Sequence, residues 1–436
     1  MGTIFRFWLP LAASWLLMST ESPTVTAFIA RMPEAKLQLA AFGVAISLAL
    51  AVESPILSLL TAANALARDR QSFRLLYRFT MLLNVAITVF MLLLGLTPLF
   101  DLVVVRMMGT PPEIAVLVRP AVLALTLWGG AIGYRRFFQG VMIRYGHTRQ
   151  ISYGTLARLL TVLIISVIGF WWGKLNGATL GGLALGLGVV AEATYIHFLS
   201  REAVRQVQAE PPQEEKLDMR TLLQFYTPLT LTALINLSTT PLLNLGMNRA
   251  AYPIESLAVW PVINGQLFLT RSFGYSLQEV VVALLHRPSG KSRLRRFAVY
   301  IGLWSFFLIS ILALTPVGPW WQKNVAGLDP ELTGFTLPVL KLVILLPVLA
   351  VVQSWLRGVV VVGKKTVAVA QATVINLVVL AAVLWIGTQW TSVMGASLSA
   401  IALTMSQGIE AIWLWRNARR VEKQNREPCA VPCTNG

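Results

Sequence analysis

GATLGGLALGLGVVAEATYIHFL, residues 177–199, is the stretch on which the reading of the fold turns. Its apolar run is long enough to cross the roughly 30 Å of hydrocarbon in a bilayer, and a single acid, Glu192, interrupts it. Moving along the chain by 218 residues, half of its 436, meets GASLSAIALTMSQGIEAIWLW at 395–415. Gly177-Ala178-Thr179-Leu180 falls on Gly395-Ala396-Ser397-Leu398, and Glu192-Ala193 on Glu410-Ala411. The same gapless offset sets Pro10-Leu11 on Pro228-Leu229, Pro23 on Pro241, Arg31 on Arg249, Ser54 on Ser272 and Gly140-Val141 on Gly358-Val359. Matches between apolar residues alone are cheap. A constant offset that also carries Pro, Arg, Gly and Glu marks an internal duplication.

Similar apolar runs recur along the whole chain. Hydrophobic residues make up 56% and charged residues only 13%, about half the charged share of a soluble domain, and the mean hydropathy is +0.67. Lipid gives the backbone no hydrogen-bond partners, so the runs must be helices. Helices are expected near 5–29, 39–66, 75–99, 114–137, 152–172, 177–199, 221–247, 257–285, 297–316, 336–361, 367–388 and 395–416. The expected fold is an all-α membrane protein of about twelve transmembrane helices in two parallel six-helix lobes. An even number of spans per repeat gives both halves one orientation, related by an axis along the membrane normal. The divisions are an N-terminal lobe 1–199, a linker 200–220 containing AEPPQEEK, a C-terminal lobe 221–416 and a tail 417–436. The first helix holds Pro10 and Glu21 and lacks a small-residue cleavage site, which predicts a retained span.

The formal charge of +17 is a matter of topology. Arg68, Arg70, Arg74, Arg78, Arg135, Arg136, Arg144, Arg149, Arg201, Arg205 and the clusters at 287–296 and 416–426 fall on one face. The other has only Arg31, Lys36, Arg106, Lys174, Arg249 and Lys323. The excess of positive charge on cytoplasmic loops then predicts both termini in the cytoplasm of an inner (plasma) membrane protein, with basic side chains meeting anionic membrane lipids and no nucleic-acid partner. Cys429 and Cys433 form a lone C-x3-C in the tail, a poor zinc site without histidines. The three histidines have no metal-ligand spacing. GKS at 290–292 and GKKT at 363–366 lack the upstream glycine of a P-loop. No nucleophile–base–acid set is visible. A monomeric, cofactor-free non-enzyme is expected.

A charged side chain at mid-bilayer costs roughly 2.5–3.5 kcal/mol and requires a partner or a wet cavity. Arg119, Arg158, Glu192 and Glu410 read as structural, the first two lying within about two turns of a helix end where they snorkel. Glu53 and Arg271 are equivalent under the 218 shift, near the middle of helices 2 and 8, and opposite in charge. They are expected on facing walls of a central seam, paired in one state and apart in another. Asn264, Arg271, Tyr275 and Gln278 form a polar stripe on helix 8 with Glu279 beside it. Asn236 and Asn244 come from helix 7, and Arg357 and Lys341 add positive charge. Guanidinium groups bind carboxylate and phosphate in a bidentate fork, so Arg271 and Arg357 suit an anion. Pro23 and Pro241 should kink both leading helices.

Two six-helix repeats with Pro in the leading helix resemble the multidrug/oligosaccharidyl-lipid/polysaccharide (MOP) exporter superfamily. LAAFGVAISL at 39–48 and ARDR at 67–70 resemble its second helix and the following loop. Within it the chain resembles the progressive ankylosis (ANK) family, through Pro241, Asn244 and Arg249, through GYSLQE at 274–279, and through GKKT with NLVVL at 376–380. The resemblance implies a V-shaped, alternating-access exporter, and the ANK family is associated with efflux of pyrophosphate, nucleotides or citrate. It carries over most directly to Asn244, Arg249 and Glu279. Departures are the Glu21 region and the missing acidic tail of animal members. MATE-type members couple to H⁺ or Na⁺ through a first-lobe acid, for which Glu21 and Glu53 are the candidates. The expectations are an anion exporter, a MATE-like exporter of cationic or amphiphilic compounds, and a lipid flippase or non-transporting scaffold.

Overall fold

The computed structural model describes residues 2–213, 217–285, 290–362, 365–390 and 392–424. Cys429 and Cys433, residues 214–216 of the linker, His286, Gly363-Lys364 and the side chain of Glu279 lie outside the described residues. The regular elements among the described residues are all helices, and an isolated bridge joins Ala251 and Met394.

The spans are α1 (Gly2–Ser19 with Glu21–Ile29), α2 (Ala35–Glu53, continued through Ser54–Ser58 and Leu59–Leu66), α3 (Arg70–Leu96), α4 (Pro112–Ala124 with Thr126–Arg144), α5 (Thr148–Trp172) and α6 (Gly177–Leu199). The second half repeats them as α7 (Met219–Leu237 with Thr239–Arg249), α8 (Pro253–Tyr275 with Leu277–Leu284), α9 (Gly290–Leu314), α10 (Pro330–Leu342 with Leu346–Val362), α11 (Thr366–Trp390) and α12 (Gly395–Gln424). Eight of these are long and apolar enough on composition alone to cross a membrane. The other four are α1, α7, α8 and α12. The protein is a multi-pass membrane protein.

Proline explains the two matched breaks. Pro23 has no N–H for the Ser19 carbonyl and Pro241 none for the Leu237 carbonyl, and the first segments of α1 and α7 end at Ser19 and Leu237. Glycine explains two matched close approaches. A Cβ on Gly140 would stand 2.4 Å from the Leu60 carbonyl oxygen, and one on Gly358 would stand 2.7 Å from Val281 Cγ1, with the carbonyl oxygen of Gln278, the repeat mate of Leu60, at 3.4 Å. α4 thus lies against α2 as α10 lies against α8.

The halves exchange their leading segments. Ile4, Trp8 and Ala12 of α1 are buried in a core built otherwise from the second half, with Leu277, Phe297, Val359 and Leu414. Trp8 stacks on Phe273 and donates to its carbonyl oxygen at 3.3 Å. Reciprocally, the first segment of α7 packs on Ser54–Ser58 of α2, where the Tyr226 hydroxyl donates to the Pro55 carbonyl at 2.5 Å.

Candidate functional site

The repeat builds one polar nest in each half, around the acid of its last helix. In the first, Glu192 accepts from Arg135 and from Gln139 at 3.4 Å and is ion-paired with Arg158 at 3.3 Å. Arg158 Nε also donates to Glu21 Oε1 at 2.5 Å. In the second, Glu410 accepts from Arg357, from Gln353 at 3.3 Å and from Asn376 at 2.9 Å. Position by position the partners correspond under the offset of half the chain: Arg135 with Gln353, Gln139 with Arg357, Arg158 with Asn376. The sequence reading takes Arg135 and Arg136 as loop charges, and the structure corrects this: both lie within the helix Thr126–Arg144, and Arg135 is buried. Arg158, expected to snorkel, is likewise buried between two carboxylates. Polar residues falling on polar residues at that offset were the signal that marks Arg135, Gln139 and Asn376 as a set. Arg119 does reach the surface, paired with Asp101 at 2.9 Å.

Glu53 and Arg271 do not pair in this conformation. Glu53 is buried inside the first half, its Oε2 without a hydrogen-bond partner, and the nearby charges are Arg136, Arg135 and Arg158. Arg271 donates instead to the neutral Gln407 Oε1 at 3.1 Å and lies 5.4 Å from the Tyr275 ring centroid. Phe268 and Tyr275, on the same helical face as Arg271, both contact Trp15 of α1, at 6.4 and 5.2 Å between centroids. Asn264 continues that face and is exposed although residues 256–263 and 265–267 are all buried. Asn264, Arg271 and Tyr275 thus share one helical face, and Trp15 packs on it through Tyr275.

The other candidates scatter. Asn244 is buried and bridges the halves, donating to Ser47 Oγ at 2.8 Å and the Gly43 carbonyl at 3.4 Å. Arg357 is committed to Glu410 and Glu21 to Arg158. Asn236 and Lys341 are exposed and Gln278 is half-buried. Glu279 lies on Leu277–Leu284. A groove of about 710 Å³ runs along α7 from Met219 to Leu231, but none of these residues lines it, and the chemistry lies elsewhere.

Toward the face poor in basic residues the two halves are in contact. A Cβ on Gly43 of α2 would stand 2.6 Å from the ring of Pro261 on α8, its repeat mate. Arg31 donates to the carbonyls of Asn324 and Val325 at 2.6 and 3.2 Å. Asn248 reciprocates, donating to the Met108 carbonyl at 2.8 Å and Thr110 Oγ1 at 3.3 Å. Lys36 Nζ lies 2.7 Å from Glu255 and 2.9 Å from Glu331. These contacts latch first half to second on one side of the membrane.

No family model matches the chain, and no curated protein matches it. Solved structures do. An inward-facing multidrug resistance MATE family transporter of the MOP superfamily is similar with a TM-score of 0.72 at 14% identity, covering 94% of this chain and 96% of that one. An outward-facing one is similar at 0.62 and 15%, covering 97% and 96%. The lipid II flippase MurJ, in an inward closed conformation, is similar at 0.69 and 12%, covering 95% and 90%. The duplicated six-helix halves, with their broken leading spans, thus form the fold of the MATE transporters of the MOP superfamily.

Proposed function

We propose that the chain is an alternating-access secondary transporter that exports a small organic or phosphate-bearing anion. The observation that carries this reading is the charge balance of the two polar nests. In the first, Glu21, Glu53 and Glu192 stand against Arg135, Arg136 and Arg158, acid for base. Among the described residues of the second, Glu410 stands against Arg357, and Arg271 donates to a neutral amide. A guanidinium bonded to a neutral amide and held over an aromatic ring is suited to a carboxylate or phosphate. The motifs similar to the ANK family support the pyrophosphate, citrate or nucleotide class. The latch at Arg31, Lys36 and Asn248 supports an arrangement closed on one side. With the basic face cytoplasmic, that arrangement is inward-facing and ready to load an exporter. The protein works as a monomer in the inner (plasma) membrane, with both termini in the cytoplasm.

One observation favours a second reading. Glu53 is a buried acid with an unpartnered oxygen, as H⁺ or Na⁺ coupling to a cationic or amphiphilic substrate requires. Mass spectrometry of the medium from cells expressing wild type, Arg271→Ala or Glu53→Gln separates the two. Accumulation of an organic or phosphate-bearing anion that Arg271→Ala abolishes is the expected result. Anion efflux untouched by Arg271→Ala overturns the proposal. Loss of efflux of a cationic dye under an imposed pH gradient in Glu53→Gln alone selects the second reading.

A further inference from the structure

A groove of about 360 Å³ opens on the outside of the first half at the basic end, between α3, α4, α6 and the short helix Arg201–Ala209. Tyr77, Tyr134 and Phe138 make its wall, and Tyr134 and Phe138 lie 4.8 Å apart between centroids. The Tyr134 hydroxyl stands 2.7 Å from His197 Nδ1. Arg201 and Arg205 close the mouth, and among the described residues no acid lines the groove. Glu202 reaches Arg205 only at 3.9 Å from an exposed position.

The short helix is amphipathic. Ala203 and Val207 are buried against the bundle while Arg201 and Arg205 are exposed, which is how a helix lying in a membrane interface divides its faces. Next to the groove Phe198 and Tyr195 are 54% and 37% exposed, so its apolar wall continues into the lipid-facing surface. None of these residues belongs to the helical face of Arg271 or to either polar nest.

We propose that this groove binds an anionic phospholipid from the leaflet at the basic face. Arg201 and Arg205 hold the phosphate by charge-assisted hydrogen bonds. The Tyr134–His197 pair lies at the depth of the glycerol esters, and an acyl chain runs along Tyr77 and Phe138. The occupant is a lipid and not a soluble anion because the apolar wall runs outward into the membrane, away from the seam between the halves.

The test is native mass spectrometry of the full-length protein titrated with phosphatidylglycerol and, separately, phosphatidylcholine. Wild type should keep phosphatidylglycerol preferentially. Arg201→Gln with Arg205→Gln should weaken it by about 25-fold, the contribution of two basic side chains near a charged surface. Val204→Trp, which fills the groove without removing charge, should weaken it too. Arg419→Gln with Arg420→Gln, at the basic end of α12, should leave it unchanged. Equal retention of the two lipids overturns the proposal, as does an equal loss in the α12 pair. So does displacement of the lipid by millimolar inorganic phosphate, which would make this a soluble-anion site.

Discussion

Glu192→Gln and Glu410→Gln remove the same charge from repeat-equivalent positions, yet they should differ sharply in cost. Glu192 is fully buried, and Arg135 and Arg158, which it holds, are each only 6% exposed. Neutralising it leaves Arg158 paired with Glu21 and takes from Arg135 the carboxylate to which it donates. Removing one partner of a buried ion pair costs about 3–5 kcal/mol, chiefly through the charge left behind. Glu410 is as deep, but its partner Arg357 is 28% exposed, so water reaches the orphaned guanidinium and the cost falls to roughly 1 kcal/mol. Thermal unfolding of both variants in one detergent, followed by loss of the monodisperse peak, ranks them. Adding Arg135→Gln to Glu192→Gln copies the Gln353 arrangement of the second half and should recover most of the loss. Two single variants that melt together, or an Arg135→Gln that fails to rescue, would refute the reasoning.

The latch predicts a shift of conformation with little change of stability. Lys36 and Glu331 are 30% and 59% exposed, so Lys36→Ala should cost under about 1 kcal/mol. It should nevertheless lengthen spin-label distances between Glu113 and Lys323 across that face, and unchanged distances would deny it a gating role. Asp69 caps α3, accepting from the Ser72 N–H at 2.8 Å, and also takes the Gln213 N–H at 3.0 Å. Burial would lift its carboxyl, but these hydrogen bonds outweigh that and hold it below the ordinary carboxylate range. A depressed folded value means the stabilisation is present above the unfolded value and is lost as pH falls through the folded one. Asp69→Ala should cost about 1 kcal/mol near neutrality, and melting curves of wild type and variant should converge in acid.

Much of the fold was legible in the residues. Proline at 23 and 241 predicted kinks, and both leading spans break where the missing N–H leaves a carbonyl unpaired. Glu192 and Glu410 announced themselves as a matched pair of intramembrane acids. Arg135 and Arg136 misled, because two arginines followed by two more within fourteen residues look like the end of a span. Hydropathy along one helix cannot distinguish a boundary from a charge neutralised by neighbouring helices.

Apolar length, lipid's want of hydrogen-bond partners and the constant offset were enough, from the sequence alone, to dictate a duplicated membrane helix bundle. They could not dictate which charge meets which. An axis relating two positions brings their side chains together only where both lie on it, as Gly43 and Pro261 do. Glu53 and Arg271 stand away from the axis on opposite sides, so equivalence separates them. The exchange of α1 and α7 between halves was equally hidden, since it depends on which apolar face fills which gap. Partner choice among buried charges follows from distance in a low-dielectric interior, and only the packed helices set those distances.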